Sequence, residues 1–325
     1  MQYNKLKRNK RYKKMSVAVL ALFAAVLLVG CGEVEIPDSM PTAVPMYTDA
    51  PSVTEVPVAT NVPEVTQAPV ATPTVQATTE PTATPTPDTG EYPALKNDGH
   101  GWGLSYRGGG LQPWGNEAAK TLKAYDAYYV GSASGNTVYL TFDCGYENGN
   151  TAAILDALKN HDVKATFFVT GHFLETETEL VQRMVNEGHA VANHTYNHPD
   201  ITKLDEATFR EELDSIQRKF EELTGSKLSM YFRPPEGKCY TQTLKWSKQM
   251  GYATILWSVA HVDWYTDNQP DPDESIQRLT DRIHSGAIVL LHNTSQTNAT
   301  ILDALITTWE DMGYTIQPLS HLVGK

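Results

Sequence analysis

The sequence predicts an α/β fold in which parallel strands close, or nearly close, into a barrel with helices outside. Three observations carry the prediction. Short apolar runs alternate with segments of 3.6-residue periodicity, six of each. Several of the periodic segments end in glycine, the residue that most readily takes the left-handed conformation at a helix stop. The roughly 190 residues from Thr137 onward are too few for an eightfold barrel, which needs ~250.

The chain begins elsewhere. A basic segment, KLKRNKRYKK, precedes an uncharged and mostly apolar run at 15–29 and then Gly30-Cys31-Gly32. The run falls short of the ~20 residues a membrane-crossing helix needs and fits the apolar core of a secretory signal. Leu28-Val29-Gly30-Cys31 resembles the lipobox of bacterial lipoproteins, in which the cysteine is lipidated and becomes the new N-terminus. Residues 1–31 are therefore expected to be a lipoprotein signal peptide, with Cys31 anchoring the protein to the outer face of the cell membrane. Removing them takes away seven of 26 basic residues and no acids, which leaves 19 Lys and Arg against 38 Asp and Glu. That balance excludes nucleic acid and anionic lipid as partners, since both need a basic surface; no protein partner is implied.

From 32 to 91 the composition shifts. Eleven of the 19 prolines lie here among Thr, Val and Ala, with no Lys, Arg or Trp. Such a segment cannot bury enough apolar surface to fold and reads as a disordered Pro/Thr/Val-rich spacer. Residues 92–325 form the expected globular domain. Its predicted strands are 137–142, 165–169, 189–193, 229–232, 253–257 and 287–291. Its predicted helices are 151–160, 176–187, 207–223, 241–250, 274–284 and 298–312. Strand, helix, strand in repetition implies parallel pairing.

In parallel α/β architectures, active residues gather at the carboxyl ends of the strands. Five of the runs end in chemistry: Asp143-Cys144; NHTYNH with His194 and His198; RPPEG with Arg233; WSVAHVDW with Asp263 and Trp264; and LLHN with His292. No single stretch is specific, whereas their delivery to one rim is. His194 and His198 are four apart, so on a helical turn they share a face and two imidazoles reach one metal.

These stretches, in this order, resemble the motifs of the polysaccharide deacetylases, family 4 of the carbohydrate esterases. The likeness runs from about Ala94 to the C-terminus. It is strongest to the branch of muramoyl deacetylases that prepare muramic δ-lactam, through YDAYYVG (residues 125–131), GYENG (145–149) and the WS…VDW segment. The resemblance implies a distorted (β/α)7-type barrel and a hydrolase that removes an N-acetyl group from an amino sugar with a divalent metal, zinc being the one that a Cys144 thiolate would favour. Asp143 matches the family's general base and His292 the acid that protonates the leaving amine. Arg233 would pair with Asp143 and Asp263 with His292, and His194 and His198 would hold the metal. An oxyanion donor is also needed. Pro234 and Pro235 have no N–H, so Glu236 supplies the first available amide. Tyr146 and Trp264 are candidate substrate contacts, Glu147 touches substrate or only shapes its turn, and Trp257 is expected in the core. His172, His189, His261 and His284 are read as ordinary polar residues.

The sequence departs from the family at Cys144, where the wider family has a second, metal-binding Asp. Three readings stay open: the thiolate ligates the metal, it lies beside a metal completed by water, or it pairs with Cys239. The expected function is deacetylation of peptidoglycan, preferably at N-acetylmuramic acid. The alternatives are an N-acetylglucosamine deacetylase acting on peptidoglycan or chitin-like oligomers, and a wall-glycan binding module with impaired turnover.

Overall fold

The computed structural model describes residues 101–324. The expectations for 1–31, 32–91 and Cys31 lie outside the described residues. In chain order the strands are β1 (Leu104–Ser105), β2 (Trp114–Gly115), β3 (Ala127–Tyr128), β4 (Thr137–Cys144), β5 (Thr166–Val169), β6 (Ala190–Asn193), β7 (Ser229–Phe232), β8 (Ala253–Ile255), β9 (Val259–Ala260), β10 (Ile288–His292) and β11 (Thr315–Ile316). The α-helices are α1 (Thr151–Asn160), α2 (Gly171–Thr176), α3 (Thr178–Asn186), α4 (Glu206–Thr224), α5 (Thr241–Gln249), α6 (Pro272–Arg282), α7 (Gln296–Asp311) and α8 (Ser320–Val323). Among the described residues no helix is long and apolar enough to cross a membrane.

β1 and β2 form an antiparallel pair of their own. The other nine strands make one parallel sheet, ordered β3-β8-β7-β6-β5-β4-β10-β9 with β11 beside the start of β4. The sheet curls round on itself, giving the distorted α/β barrel that the sequence implied. β8 pairs with β7 while β9, after three intervening residues, pairs with β10 at the other end of the order. The gap is closed near the opposite rim by a bridge between Val130 and Ala287 and by Gly131 N–H donating to Gly286 O at 2.7 Å. Gly286 has φ +79°, and a Cβ there would lie 2.6 Å from the Gly131 carbonyl carbon, so this approach of two backbones requires glycine.

Alternation along β4 sorts the two sides of the wall. Val138, Leu140, Phe142 and Cys144 join the large apolar cluster with Ile154, Leu158, Ile301 and Trp309 of α1 and α7. Tyr139 joins the smaller inner cluster with Phe168, Ala192 and Ile288, and Thr141 and Asp143 continue that face. Both faces are buried, as the near-continuous apolar run required.

The helices begin and end where short-range chemistry dictates. Asp205, Asp271 and Ser295 cap α4, α6 and α7 by accepting from Thr208, Glu274 and Asn298 N–H. Of five glycines expected to stop helices, Gly188, Gly225, Gly251 and Gly313 follow helix ends with positive φ, whereas α6 already ends at Arg282 before an extended Ile283, so Gly286 serves the approach to β10 instead. The structure differs from the prediction at the small elements. β3, β9 and β11 have two residues each, too few for a periodicity signal, and α2 precedes the helix predicted over 176–187, which corresponds to α3. The strand predicted over 253–257 stops at Ile255, where the wall bends into β9.

His189, 7% exposed, accepts a hydrogen bond from Ala165 N–H through Nδ1, and its Nε2 has only Glu187 Oε2 nearby, at 3.9 Å. Burial, aided by Lys164, pushes its pKa from the usual 6.5 down to about 4. The unfolded chain then binds more protons than the native protein between those values, so stability falls as pH drops from 6.5 towards 4. We expect this histidine to contribute on the order of 2 kcal/mol of that loss. Urea unfolding at pH 7 and pH 4.5 should show a smaller drop for His189→Asn; an equal drop in variant and wild type would refute the assignment.

Candidate active site

The site is built on one buried ion pair. Arg233, at the end of β7, is fully buried and donates from Nη1 to Asp143 Oδ1 at 2.7 Å. Its Nε donates to Ile255 O at 3.1 Å and its Nη2 to Thr141 Oγ1 at 2.9 Å, while the guanidinium carbon lies 4.2 Å from the Phe168 ring centroid. A planar cation with most of its donors satisfied is the form in which a charge tolerates burial. Burial alone would raise the Asp143 pKa; Arg233, with His194 and His292 nearby, outweighs it and holds the carboxyl below its usual value.

His194 and His198 follow β6. They do not sit on a helical turn: the segment is an irregular loop in which Thr195 and His198 have φ of 64° and 53°. The helical-face argument for the pair is thus corrected, although the loop still brings the two rings to 4.9 Å between centroids. His194 donates from Nδ1 to Arg233 O at 2.8 Å, which fixes the tautomer and leaves Nε2 a bare lone pair 3.6 Å from Asp143 Oδ2. Burial holds its pKa near 4, so it is neutral at pH 7, the protonation state a metal ligand needs. Both rings line the cleft. Among the described residues no group of three or more His, Cys, Asp or Glu side chains is set to hold an ion. Two imidazoles on the cleft, that of His194 neutral with a bare Nε2, are the donors that would hold a divalent ion.

The register of the sheet sets His292 directly opposite Asp143 on adjacent strands. Asp263, 1% exposed, accepts from His292 Nδ1 at 2.7 Å with one oxygen and from His292 N–H at 2.9 Å with the other. Burial of His292 would lower its pKa; Asp263, seconded by Asp143, reverses the sign and raises it. Sequence reasoning missed Asn298, at the start of α7. Its amide nitrogen donates to Asp263 Oδ2 at 2.6 Å and to His292 O at 3.0 Å, and its oxygen accepts from His261 Nε2 at 3.0 Å. His261, read as an ordinary residue, is thus tied to the site through Asn298. An asparagine six residues past a strand-end histidine has no spacing signature by which to find it.

Cys144 is not in the group. One residue beyond Asp143, it lies on the opposite face of β4, fully buried in the apolar cluster behind the wall. Burial, then the nearby Asp143 and Glu147, push its pKa well up. The structure gives no support to the ligand reading, because strand alternation turns the thiol from the cleft. Nor is it bridged to Cys239, since both cysteines are free. Glu236 lines the cleft with φ 54°, in a turn closed by Gly237 N–H donating to Pro234 O and Lys238 N–H to Pro235 O. Glu147 shapes its turn: its carboxylate accepts from Thr151 N–H at 3.1 Å and Asn293 Nδ2 at 3.2 Å. Tyr146 and Trp264, 45% and 46% exposed, line the cleft, which has a volume of about 690 Å³.

Residues 131–255 match the family model described as polysaccharide deacetylase. Over 232 residues, 71% of this chain and 88% of the other, the protein is 41% identical to the peptidoglycan-N-acetylmuramic acid deacetylase PdaA of Bacillus subtilis (strain 168). The chain belongs to the polysaccharide deacetylase family. The solved structure of Bacillus subtilis PdaA, a family 4 carbohydrate esterase, matches with a TM-score of 0.68 at 40% identity, covering 70% of this chain and 98% of that one. A peptidoglycan-N-acetylglucosamine deacetylase of Bacillus cereus is 34% identical over 173 residues, 53% of this chain and 62% of its own. A family 4 pseudoenzyme of Bacillus anthracis matches with a TM-score of 0.57 at 32% identity, covering 61% of this chain and 68% of that one.

The buried pair makes a stability prediction. Asp143→Ala leaves the Arg233 cation without its partner and should cost about 3 kcal/mol. Adding Arg233→Met removes the stranded charge and should recover part of that loss. Denaturant unfolding of the two single variants and the double variant checks this; strictly additive losses would disprove the pairing.

Proposed function

We propose that this polysaccharide deacetylase hydrolyses N-acetyl groups of peptidoglycan amino sugars, preferably N-acetylmuramic acid, with a divalent ion at His194 and His198. The observation that carries the chemistry is the pairing of Asp143 with His292 across β4 and β10, each with its own buried partner. Arg233 keeps Asp143 ionised, so its free oxygen takes a proton from the attacking water. Asp263 holds His292 with Nδ1 protonated, so Nε2 is the atom that gives a proton to the departing amine. The Glu236 N–H is the donor for the developing oxyanion. Enzymes of this family are generally metal-dependent, and an ion on the two imidazoles would polarise the acetyl carbonyl. Imidazole donors suit zinc.

Preference for N-acetylmuramic acid is supported by the GYENG and VDW segments and by the identity with PdaA. The likeness to the Bacillus cereus enzyme favours N-acetylglucosamine as the second reading. The likeness to a pseudoenzyme of Bacillus anthracis favours, as the remaining alternative, a binder with impaired turnover. The protein is proposed to act outside the cytoplasm, tethered through Cys31.

Purified wall incubated with the protein should release acetate, and a chelator should stop the release until zinc is restored. Mass spectrometry of the digested wall should show the loss on muramic acid. Loss on glucosamine alone would replace the substrate reading, and no acetate with any divalent metal would leave a binder. In a turning-over enzyme, activity should decline as pH rises through the His292 pKa, because the acid loses its proton. Asp263→Asn removes the group that raises that pKa, so this alkaline limb should move to lower pH; a limb that stays in place would show that His292 is not the acid.

A further inference from the structure

A second cavity of about 340 Å³ lies between β9 and α6, and Trp264 lines both it and the catalytic cleft. The two differ in charge. The cleft is lined by the carboxylates of Asp143, Glu175 and Glu236. No carboxylate lines the side cavity, whose wall instead includes Arg278 and Arg282 from successive turns of α6, with Trp257, Trp264 and His261. Arg282 is held in place: Nη1 donates to Ala260 O at 2.5 Å, and the guanidinium lies 4.0 Å over the Tyr106 ring. Arg278 has Glu274 only at 3.8 Å, the outer limit of an ion pair, and its side chain is 39% exposed.

His261, in the wall of the side cavity, ties it to the catalytic pair through Asn298. It is 5% exposed. The amide nitrogen of Asn298 is already committed to Asp263 and His292 O, so the Asn298 oxygen must accept, and His261 Nε2 carries the proton. Nδ1 is then a bare acceptor, and it has no partner in the protein.

We propose that this cavity is a second glycan subsite, in which Arg278 and Arg282 receive the carboxylate of a neighbouring sugar of the strand being deacetylated, while Trp264 packs against the intervening ring. The proposal rests on peptidoglycan being the substrate. The forked donors of the side cavity would accept a sugar carboxylate through charge-assisted hydrogen bonds. The occupant is a carboxylate-bearing hexosamine. In peptidoglycan that carboxylate comes from the lactyl group itself or from the peptide stem attached to it.

The test uses the full chain, its Arg278→Gln variant and three glycan tetrasaccharides. One has free lactyl carboxylates, one has them as neutral methylamides, and one carries a short peptide stem with a free carboxylate. The KM for the lactyl oligomer should rise about tenfold in the variant, the worth of one charge-assisted contact, with no rise for the methylamide. A rise confined to the peptide-bearing oligomer would support the site and name the stem as the source. Equal changes on all three, or none on any, overturn it. If the wild type releases acetate from none of them, the functional reading fails, and calorimetric binding of the same oligomers decides the subsite. Tighter binding of a charged oligomer than of the methylamide, lost in Arg278→Gln, supports it; equal wild-type affinities reject it.

Discussion

The Arg233–Asp143 contact is the constraint from which the rest of the site follows. Its guanidinium binds a side chain at two successive inward positions of β4, Thr141 and Asp143, and the backbone of β8 at Ile255. The arginine's own carbonyl accepts from His194 Nδ1. One residue thereby fixes the ionisation of the proposed base, the tautomer of the first proposed ligand and the spacing of three strands. A buried cation is costly to keep, and it is tolerated because each contact serves both the fold and the chemistry. The same burial makes the pair rigid, so the free oxygen of Asp143 faces the cleft without reorganisation.

The second constraint is register. Pairing of β4 with β10 places Asp143 beside His292, two residues 149 positions apart in sequence. A slip of one residue would turn His292 to the outer face. The register is secured beyond the strands. Asn293 Nδ2 donates to Tyr146 O at 3.0 Å, to Glu147 and to Thr151 Oγ1, while Asn148 and Asn150 both donate to Thr294 O. The GYENG loop is therefore sewn to the loop after His292. Glu147 and Asn148 of the loop, with Asn150 just past it, serve the alignment of base and acid, and only Gly145 and Tyr146 of the loop lie on the cleft.

Legibility in the sequence tracked the range of the interaction. The long helices and central strands were legible because apolar periodicity, caps and glycine stops act within a few residues. β3, β9 and β11 were not, because two-residue strands exist only through their neighbours. The rim was legible as a set, since parallel topology sends every strand end to one side. His194 and His198 were found for a reason that did not hold, as the loop geometry, not a helix, brings them together. Asn298 and His261 were illegible because their importance lies in contacts across 35 and 37 positions, to Asp263 and to each other.

Cys144 shows the same limit from the other side. Read along the chain, a thiol next to a base looks like a ligand. In the sheet, β4 still pairs with β5 through Cys144 and Val169, so alternation persists to the last residue and the side chain must point outward. That side is apolar, and a carboxylate there would be buried without a partner. Cysteine behaves in such a place as a small hydrophobe, and its raised pKa keeps it a neutral thiol. The residue thus suits its position for packing reasons alone, and the proposed ion depends on the two imidazoles that the opposite wall supplies.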